Sequence, residues 1–180
     1  MAAHAPAAEY QTAASDPGGG PSLPGGTVGY LAGDWDVVRE IADHRRGQAG
    51  EFRGRASFRP VPDRPVPDRR VPDRPGGCVL DFAEDGELRF GGHRGPASRT
   101  LRYHGLADGG ASVRFADGRA FFRLDLRFGS CRAVHACRAD RYAVTVTWLS
   151  PDCFTEIWRV TGPDKDYDMT TVYTRAGCST

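Results

Sequence analysis

The chain has 180 residues, enough for one domain of ordinary size, and its 24 basic and 23 acidic side chains leave a formal net charge of +1. This balance excludes the basic surface typical of nucleic-acid-binding proteins, and no stretch approaches the roughly 20 consecutive apolar residues of a membrane-spanning helix. The N-terminus lacks both a basic region and an apolar region of the kind that signal peptides carry, so we predict a cytoplasmic protein with neither nucleic-acid nor membrane partners.

The first 26 residues are rich in Ala, Gly, Pro and Ser and show no hydrophobic period. Such a segment buries too little apolar area to offset the entropy lost on ordering. We therefore predict a disordered tail over residues 1–26, a folded domain over residues 27–176 and a short C-terminal tail over residues 177–180.

The first predicted strand covers residues 35–41, where apolar and polar side chains alternate. One face carries Trp35, Val37, Arg39 and Ile41. The same period of two recurs over residues 52–58, 142–148 and 167–175, as is typical of strands with one buried face.

A proline-rich stretch over residues 59–77 interrupts this pattern. It contains Pro-Val-Pro-Asp-Arg twice and then Arg-Val-Pro-Asp-Arg, a tandem repeat of period five. Proline lacks the N–H that a strand ladder needs, so we interpret the stretch as a loop insert between two strands. Docking to a partner with a proline-binding groove is the alternative.

Turn signals separate the remaining strands. Asp-Gly pairs at 85–86, 108–109 and 117–118 each predict a hairpin, and Ala139-Asp140, Pro151-Asp152 and Pro163-Asp164 predict the later turns. The pattern predicts an all-β fold of about ten strands joined by short loops. So many consecutive antiparallel strands leave exposed edges unless the sheet closes, which favours a single up-and-down barrel.

A Gly-x-Trp motif, Gly33-Asp34-Trp35, opens the first strand, and Arg175 lies late in the last strand. This arrangement resembles the lipocalins and the wider calycin barrels. The resemblance implies that Trp35 plugs the closed end, that the Arg175 guanidinium stacks on its indole and that Gly33 lets the chain turn into the strand.

Further motifs resemble an uncharacterised family of small bacterial calycin-like domains over residues 31–175. They are Leu31-x-Gly33-x-Trp35, Asp117-Gly118-Arg119-x-Phe121, His135-x-Cys137-x-x-Asp140-x-Tyr142 and Trp158-x-Val160-x-Gly162-Pro163-x-Lys165-Asp166-Tyr167. The resemblance implies the barrel fold and brings no activity with it.

If the face of Trp35 and Tyr142 points inward, the lumen collects many aromatic side chains, among which we place Phe128. Barrels of this size either fill the lumen or hold one small ligand. We predict a pocket for an apolar or amphipathic small molecule. The predicted ligand-binding residues are Arg39, Tyr103, Phe122, Leu124, His135, Tyr142, Trp148, Trp158 and Tyr173.

The alternative is a barrel enzyme of the isomerase, cyclase or lyase type. In it His135 acts as a general acid or base, assisted by Tyr142 or Glu156. An ion pair between Arg39 and Glu156 would instead be structural.

Five cysteines, an odd number, predict free thiols, and the absence of any Cys-x-x-Cys pair argues against a zinc site. His135 and Cys137 supply two ligands at most, so we expect no metal and no cofactor.

Overall fold

Ten antiparallel strands follow one another along the chain and form one sheet in the order β6-β5-β4-β3-β2-β1-β10-β9-β8-β7. The computed structural model describes residues 21–62 and 77–177. The elements are the helix α1 (Gly26–Leu31) and the strands β1 (Gly33–Asp43), β2 (Gln48–Pro60), β3 (Val79–Phe90), β4 (His93–Gly105), β5 (Ala111–Phe115), β6 (Ala120–Leu124), β7 (Ser130–Cys137), β8 (Asp140–Ser150), β9 (Cys153–Thr161) and β10 (Asp166–Arg175).

The pairing of the first strand with the last curls this sheet into a barrel. β1 lies antiparallel to β10 in a register that sets Trp35 opposite Arg175 and Asp43 opposite Tyr167. The two end strands of the sheet, β6 and β7, then face each other, although these fully described strands share no backbone ladder. The predicted all-β, ten-stranded up-and-down barrel is confirmed, in a nearly closed form.

The short helix α1 covers one end of the barrel and was not predicted, because six residues are too few to display a helical period. Its residues read instead as the boundary between tail and domain. The helix is held from two sides. The Thr27 amide donates to the Gly109 carbonyl in the β4–β5 turn, and the Tyr30 hydroxyl lies 2.9 Å from the Ser150 carbonyl oxygen.

The turns at Asp108-Gly109, Asp117-Gly118, Pro151-Asp152 and Pro163-Asp164 fall between strands as predicted, whereas the hairpin at Asp85-Gly86 was wrong. β3 runs straight through this pair, and the hairpin closes at Gly91-Gly92, where both residues have positive φ. Two such residues suit the tight turn of a two-residue hairpin loop. Gly86 instead permits a close approach of strands, since a Cβ there would lie 2.5 Å from the Gly54 Cα.

Several predictions fall wholly or partly outside the described residues. The predicted N-terminal tail includes residues 1–20, and the predicted proline-rich insert includes residues 63–76; both ranges lie outside the described residues. β2 continues to Pro60 and pairs it with Leu80.

No helix among the described residues is long and apolar enough to cross a membrane. The cysteines that the structure describes are free thiols.

The inward position predicted for Phe128 was wrong, because the side chain is 59% exposed. β6 ends at Leu124, so the period of two does not extend to residue 128. Leu126, in the loop between β6 and β7, is fully buried instead.

Candidate functional site

On six strands the inward-facing side chains change from buried to half-exposed at one level, whereas on β9 they stay buried as far as Val160. The change falls between Arg39 and Ile41 on β1, Glu84 and Gly86 on β3, Leu101 and Arg99 on β4, Ala133 and His135 on β7, Val144 and Tyr142 on β8, and Thr171 and Met169 on β10. The barrel therefore has a closed half, packed solidly between this level and α1, and an open half, which we call the cup.

Four charged side chains form the floor of the cup, and they balance to zero net charge. Two guanidinium nitrogens of Arg39 donate to the two carboxylate oxygens of Glu84, at 2.9 and 2.8 Å, and its Nε donates to the Thr171 hydroxyl. Arg99 lies beside this pair, with its Nε 3.2 Å from a Glu84 oxygen and its Nη2 3.2 Å from Glu156 Oε2.

Glu84 stays ionised although its side chain is buried. Burial opposes the charge on Glu84, but the hydrogen bond from Arg39 and the positive charge of Arg99 outweigh it and lower the pKa of the carboxyl. The Tyr173 hydroxyl, 2.7 Å from Arg99 Nη2, completes the network. These hydrogen bonds offset much of the cost of burying the charges, although Arg99 Nε is buried without a hydrogen-bond partner of its own.

Arg99 differs from the other floor charges in its exposure. Its side chain is 29% accessible, whereas that of Glu84 is 2% accessible and that of Glu156 is 7%. Arg99 points inward from β4 and meets Glu84, Glu156 and Tyr173 inside the barrel, so its exposed part faces the cup. It is the floor charge most open to a ligand.

One wall of the cup consists of rings from β5 to β9, which we call the seam cluster because it lies beside the gap between β6 and β7. Its members are Phe115, Phe121, Phe122, His135, Tyr142 and Trp158. Phe121 stacks on Trp158, with ring centroids 5.3 Å apart and planes inclined by 9°, and the His135 ring approaches Phe121 edge-on.

A β-bulge places Phe121 in this cluster. The register of β5 and β6 shifts between Val113, which pairs with Phe122, and Arg114, which pairs with Ala120, so Phe121 is the extra residue. The unpaired residue of a bulge can aim its side chain differently from the regular strand.

His135 has a lowered pKa. Burial is the main cause and the charge of Arg119 adds to it, while a hydrogen bond with the Phe121 backbone opposes both. The ring is therefore neutral at physiological pH.

The rim of the cup carries a cavity of about 420 Å³, within the usual range for small-molecule sites. Ile41, Phe90, Tyr167 and Met169 supply its apolar lining, and Lys165 lies at its edge. The Lys165 ammonium donates to Asp140 and to the Tyr142 hydroxyl, both at 2.6 Å. A larger recess of about 780 Å³ lies mainly across outward-facing charged side chains of β1, β2, β10 and the β3–β4 hairpin, so its chemistry differs from that of the lumen.

The structure separates the predicted ligand-binding residues into three groups. His135, Tyr142 and Trp158 belong to the wall of the cup, and Phe122 packs edge-on against Trp158. Arg39 and Tyr173 belong to the floor. Tyr103, Leu124 and Trp148 lie in the closed half and do not reach the cup: Tyr103 packs on Phe58 and Phe82, and Trp148 pairs with Phe154 near α1.

The residues assigned to barrel closure meet at the closed end. The guanidinium carbon of Arg175 lies 4.2 Å from the centroid of the Trp35 ring. Gly33 has a positive φ of 120°, and a Cβ there would meet the Arg175 guanidinium at 3.0 Å.

The groups proposed for acid–base catalysis are engaged elsewhere. The Tyr142 hydroxyl accepts from Lys165, Glu156 contacts Arg99 and Tyr173, and His135 lies among rings. The expected pair of Arg39 with Glu156 was wrong, since the structure pairs Arg39 with Glu84. No group of three or more potential metal-ligating side chains occurs in the part of the chain that the structure describes.

Sequence reasoning missed Glu84 and Arg99. Glu84 continues the inward alternation of Leu80 and Phe82, and Arg99 that of Tyr103 and Leu101. The signal was present, but the assignment of Asp85-Gly86 to a turn placed Glu84 at a strand end, where a charge is exposed.

Comparisons with known proteins agree with this architecture. Residues 31–175 match the profile of a family of unknown function (DUF6314). No curated protein matches the chain.

Among solved structures, the S-type phycobiliprotein lyase CPES from Guillardia theta is similar with a TM-score of 0.60 and 10% identity, covering 84% of this chain and 92% of the lyase. A redesigned β-barrel bound to DFHBI is similar with a TM-score of 0.39 and 17% identity, over 81% of this chain and 99% of the barrel. At such identities the likeness to the lyase supports the fold alone.

Proposed function

We propose that this chain, which belongs to the family of unknown function DUF6314, binds an amphipathic small molecule in the cup of its barrel. The family brings no activity, so the proposal rests on the site. One observation carries it: Arg99 points inward at the floor of the barrel within a charge-balanced network, and 29% of its side chain is still accessible.

The distribution of polarity inside the cup sets the class of ligand. A guanidinium at the floor suits an acidic or strongly accepting head group, because it donates several hydrogen bonds in a fixed plane. The wall above it is aromatic, and the rim cavity combines four apolar or aromatic side chains with the charged side chains of Asp43, Arg46, Asp164, Lys165 and Asp166. A polar floor beneath apolar walls matches a molecule with one polar end and an apolar body.

The similar fold of a protein named as a phycobiliprotein lyase is compatible with this proposal. The ligand of the present chain is inferred from its own floor and wall.

The test uses dodecanoate as a probe with a carboxylate head and an apolar body, titrated by isothermal calorimetry. Replacing Arg99 alone would leave two carboxylates facing one guanidinium, so the informative variant is Arg99→Met combined with Glu156→Gln, which keeps the floor neutral. We expect its affinity for dodecanoate to fall roughly 10- to 100-fold, the range of a hydrogen bond to a charged group.

The matched control is Arg102→Met on the same strand, where the side chain points outward and pairs with Asp81. We expect it to bind dodecanoate like the wild type. Equal affinities of the double variant and the control would remove Arg99 from the site, and a wild-type protein that does not bind dodecanoate would contradict binding in the cup.

A further inference from the structure

The gap between β6 and β7 is the weakest part of the barrel wall. Every other pair of neighbouring strands shares a backbone ladder, whereas these two, both fully described, share none. Side chains bridge the gap instead. The Cys131 thiol lies 3.6 Å from the Arg123 carbonyl oxygen, and the His135 ring packs edge-on against Phe121 with ring centroids 5.1 Å apart.

Phe121 fills this gap with its ring. The residue is the extra one of a bulge, so its backbone is less constrained than that of a regular strand residue. The residue is half-buried, in contrast to its neighbour Phe122, which is buried. A rotation of this side chain toward solvent would open the wall of the cup without breaking a strand ladder.

The surface beneath Phe121 is incompletely satisfied. Trp158 is 3% exposed, and its indole N–H is buried without a hydrogen-bond partner. Buried polar groups in proteins are nearly always paired, so an unpaired donor requires an explanation. The Phe121 ring covers the face of the indole, whereas the N–H points outward from the indole edge, so its resonance reports on the environment of Trp158 without contacting a stacked ring directly.

We propose that Phe121 occupies the place of the ligand's ring: a planar conjugated molecule enters through the gap, displaces Phe121 and stacks on Trp158. This inference rests on the proposed function and narrows its ligand class. A flat conjugated ring recovers the stacking that Phe121 provides on Trp158. A saturated chain does not recover this stacking.

The experiment compares two carboxylates that share a head group, 2-naphthoate with a flat ring and dodecanoate with a saturated chain. Phe121→Leu keeps the gap filled with apolar volume but removes the stacked ring, and Phe121→Ala removes the side chain. We expect both variants to bind 2-naphthoate roughly three- to tenfold more tightly than the wild type, since the ligand no longer displaces an aromatic pair. Dodecanoate affinity should stay within twofold.

Phe128→Leu is the matched control, because this phenylalanine lies in the loop after β6 and is exposed. Its affinities for 2-naphthoate and for dodecanoate should equal those of the wild type. If Phe121→Ala does not fold, Phe121→Leu carries the comparison.

A second readout uses the wild-type protein alone. The indole N–H resonance of Trp158, assigned by its loss in Trp158→Phe, should shift with 2-naphthoate and stay in place with dodecanoate, because only the flat ring takes the position of Phe121.

The outcomes separate the two proposals. Suppose that dodecanoate binds the wild type. The inference about Phe121 is then wrong if the Phe121 variants change neither affinity or change both equally, and it is also wrong if the Trp158 resonance does not respond to 2-naphthoate. In each of these cases binding in the cup stands. If dodecanoate does not bind the wild type, the proposed function fails, and the inference about Phe121, which rests on it, fails as well.

Discussion

Arg175 joins three parts of the closed end through one side chain. Its guanidinium stacks on Trp35, its Nη1 and Nη2 donate to the carbonyls of Ala32 and Tyr30, and its Nε lies 3.3 Å from Asp152. The Trp35 indole N–H in turn donates to the Leu31 carbonyl at 2.8 Å. Both residues thus satisfy carbonyls at the end of α1, where helices lack internal donors.

This contact predicts a coupling between the first and last strands. Trp35→Ala should cost about 3–5 kcal/mol of unfolding free energy, because it removes a fully buried aromatic side chain and leaves a cavity. Arg175→Ala should also destabilise, and in urea unfolding the double variant should lose less than the sum of the singles by at least about 0.5 kcal/mol. Arg175→Lys should destabilise the protein less than Arg175→Ala does, but it should not restore wild-type stability, since an ammonium cannot stack flat on the indole. Additive losses would contradict the coupling.

At the scale of elements, α1 is a short helix that depends on the barrel for its stability. Isolated helices of this length do not persist in water, so tertiary contacts must hold it. Thr27 is fully buried, and its hydroxyl accepts from the Leu126 amide at 3.1 Å, which ties the helix to the loop between β6 and β7. The helix therefore fastens the strands on either side of the unpaired gap as well as covering the closed end.

Thr27→Val tests this role because valine has the same shape and lacks the hydroxyl. The Leu126 amide would then be buried without an acceptor, and we expect a loss of about 1–3 kcal/mol in chemical denaturation. Thr100→Val, on the outward face of β4, is the matched control and should change stability by less than about 0.5 kcal/mol. Equal effects of the two substitutions would mean that the Thr27 hydroxyl contributes nothing.

For the whole molecule, the charged floor links stability to pH. The pKa of Glu84 is lower in the folded state than in the unfolded chain, so the unfolded state binds a proton more readily. The stabilisation from Glu84 is complete above the unfolded-state pKa of roughly 4.3 and is lost as the pH falls through the folded-state pKa. Acid should therefore weaken the barrel at the boundary between its closed half and the cup.

Glu84→Gln isolates this effect. At neutral pH it should cost roughly 3–5 kcal/mol, because two guanidinium groups then share one carboxylate. Below about pH 4.3 the unfolding free energy of the wild type should fall more steeply than that of the variant. Glu40→Gln, an exposed position on β1, should follow the wild-type curve. Parallel curves for Glu84→Gln and the wild type would show that Glu84 is not stabilised in its charged form.

Local sequence determined the architecture of this protein. The alternation from Trp35 to Ile41, the later strands of period two and most of the turn residues were enough to predict an up-and-down barrel, because each of these signals depends on residues close together in the chain. Where local chemistry was ambiguous, as at Asp85-Gly86, the prediction failed, since a glycine serves equally in a turn and in a close approach of strands.

The candidate site was decided by tertiary structure. The alternation on β1 and the start of β9 identify Arg39 and Glu156 as inward-facing, but the partner of each charge depends on strand register and on the tilt of strands around the barrel. These bring Glu84 to Arg39 and place Arg99 between Glu84 and Glu156. The gap between β6 and β7 likewise follows from how the sheet closes, so the position of Phe121 over Trp158 has no local signal. A period of two specifies which side of a strand faces the lumen, whereas only the closed sheet determines which residues meet across it.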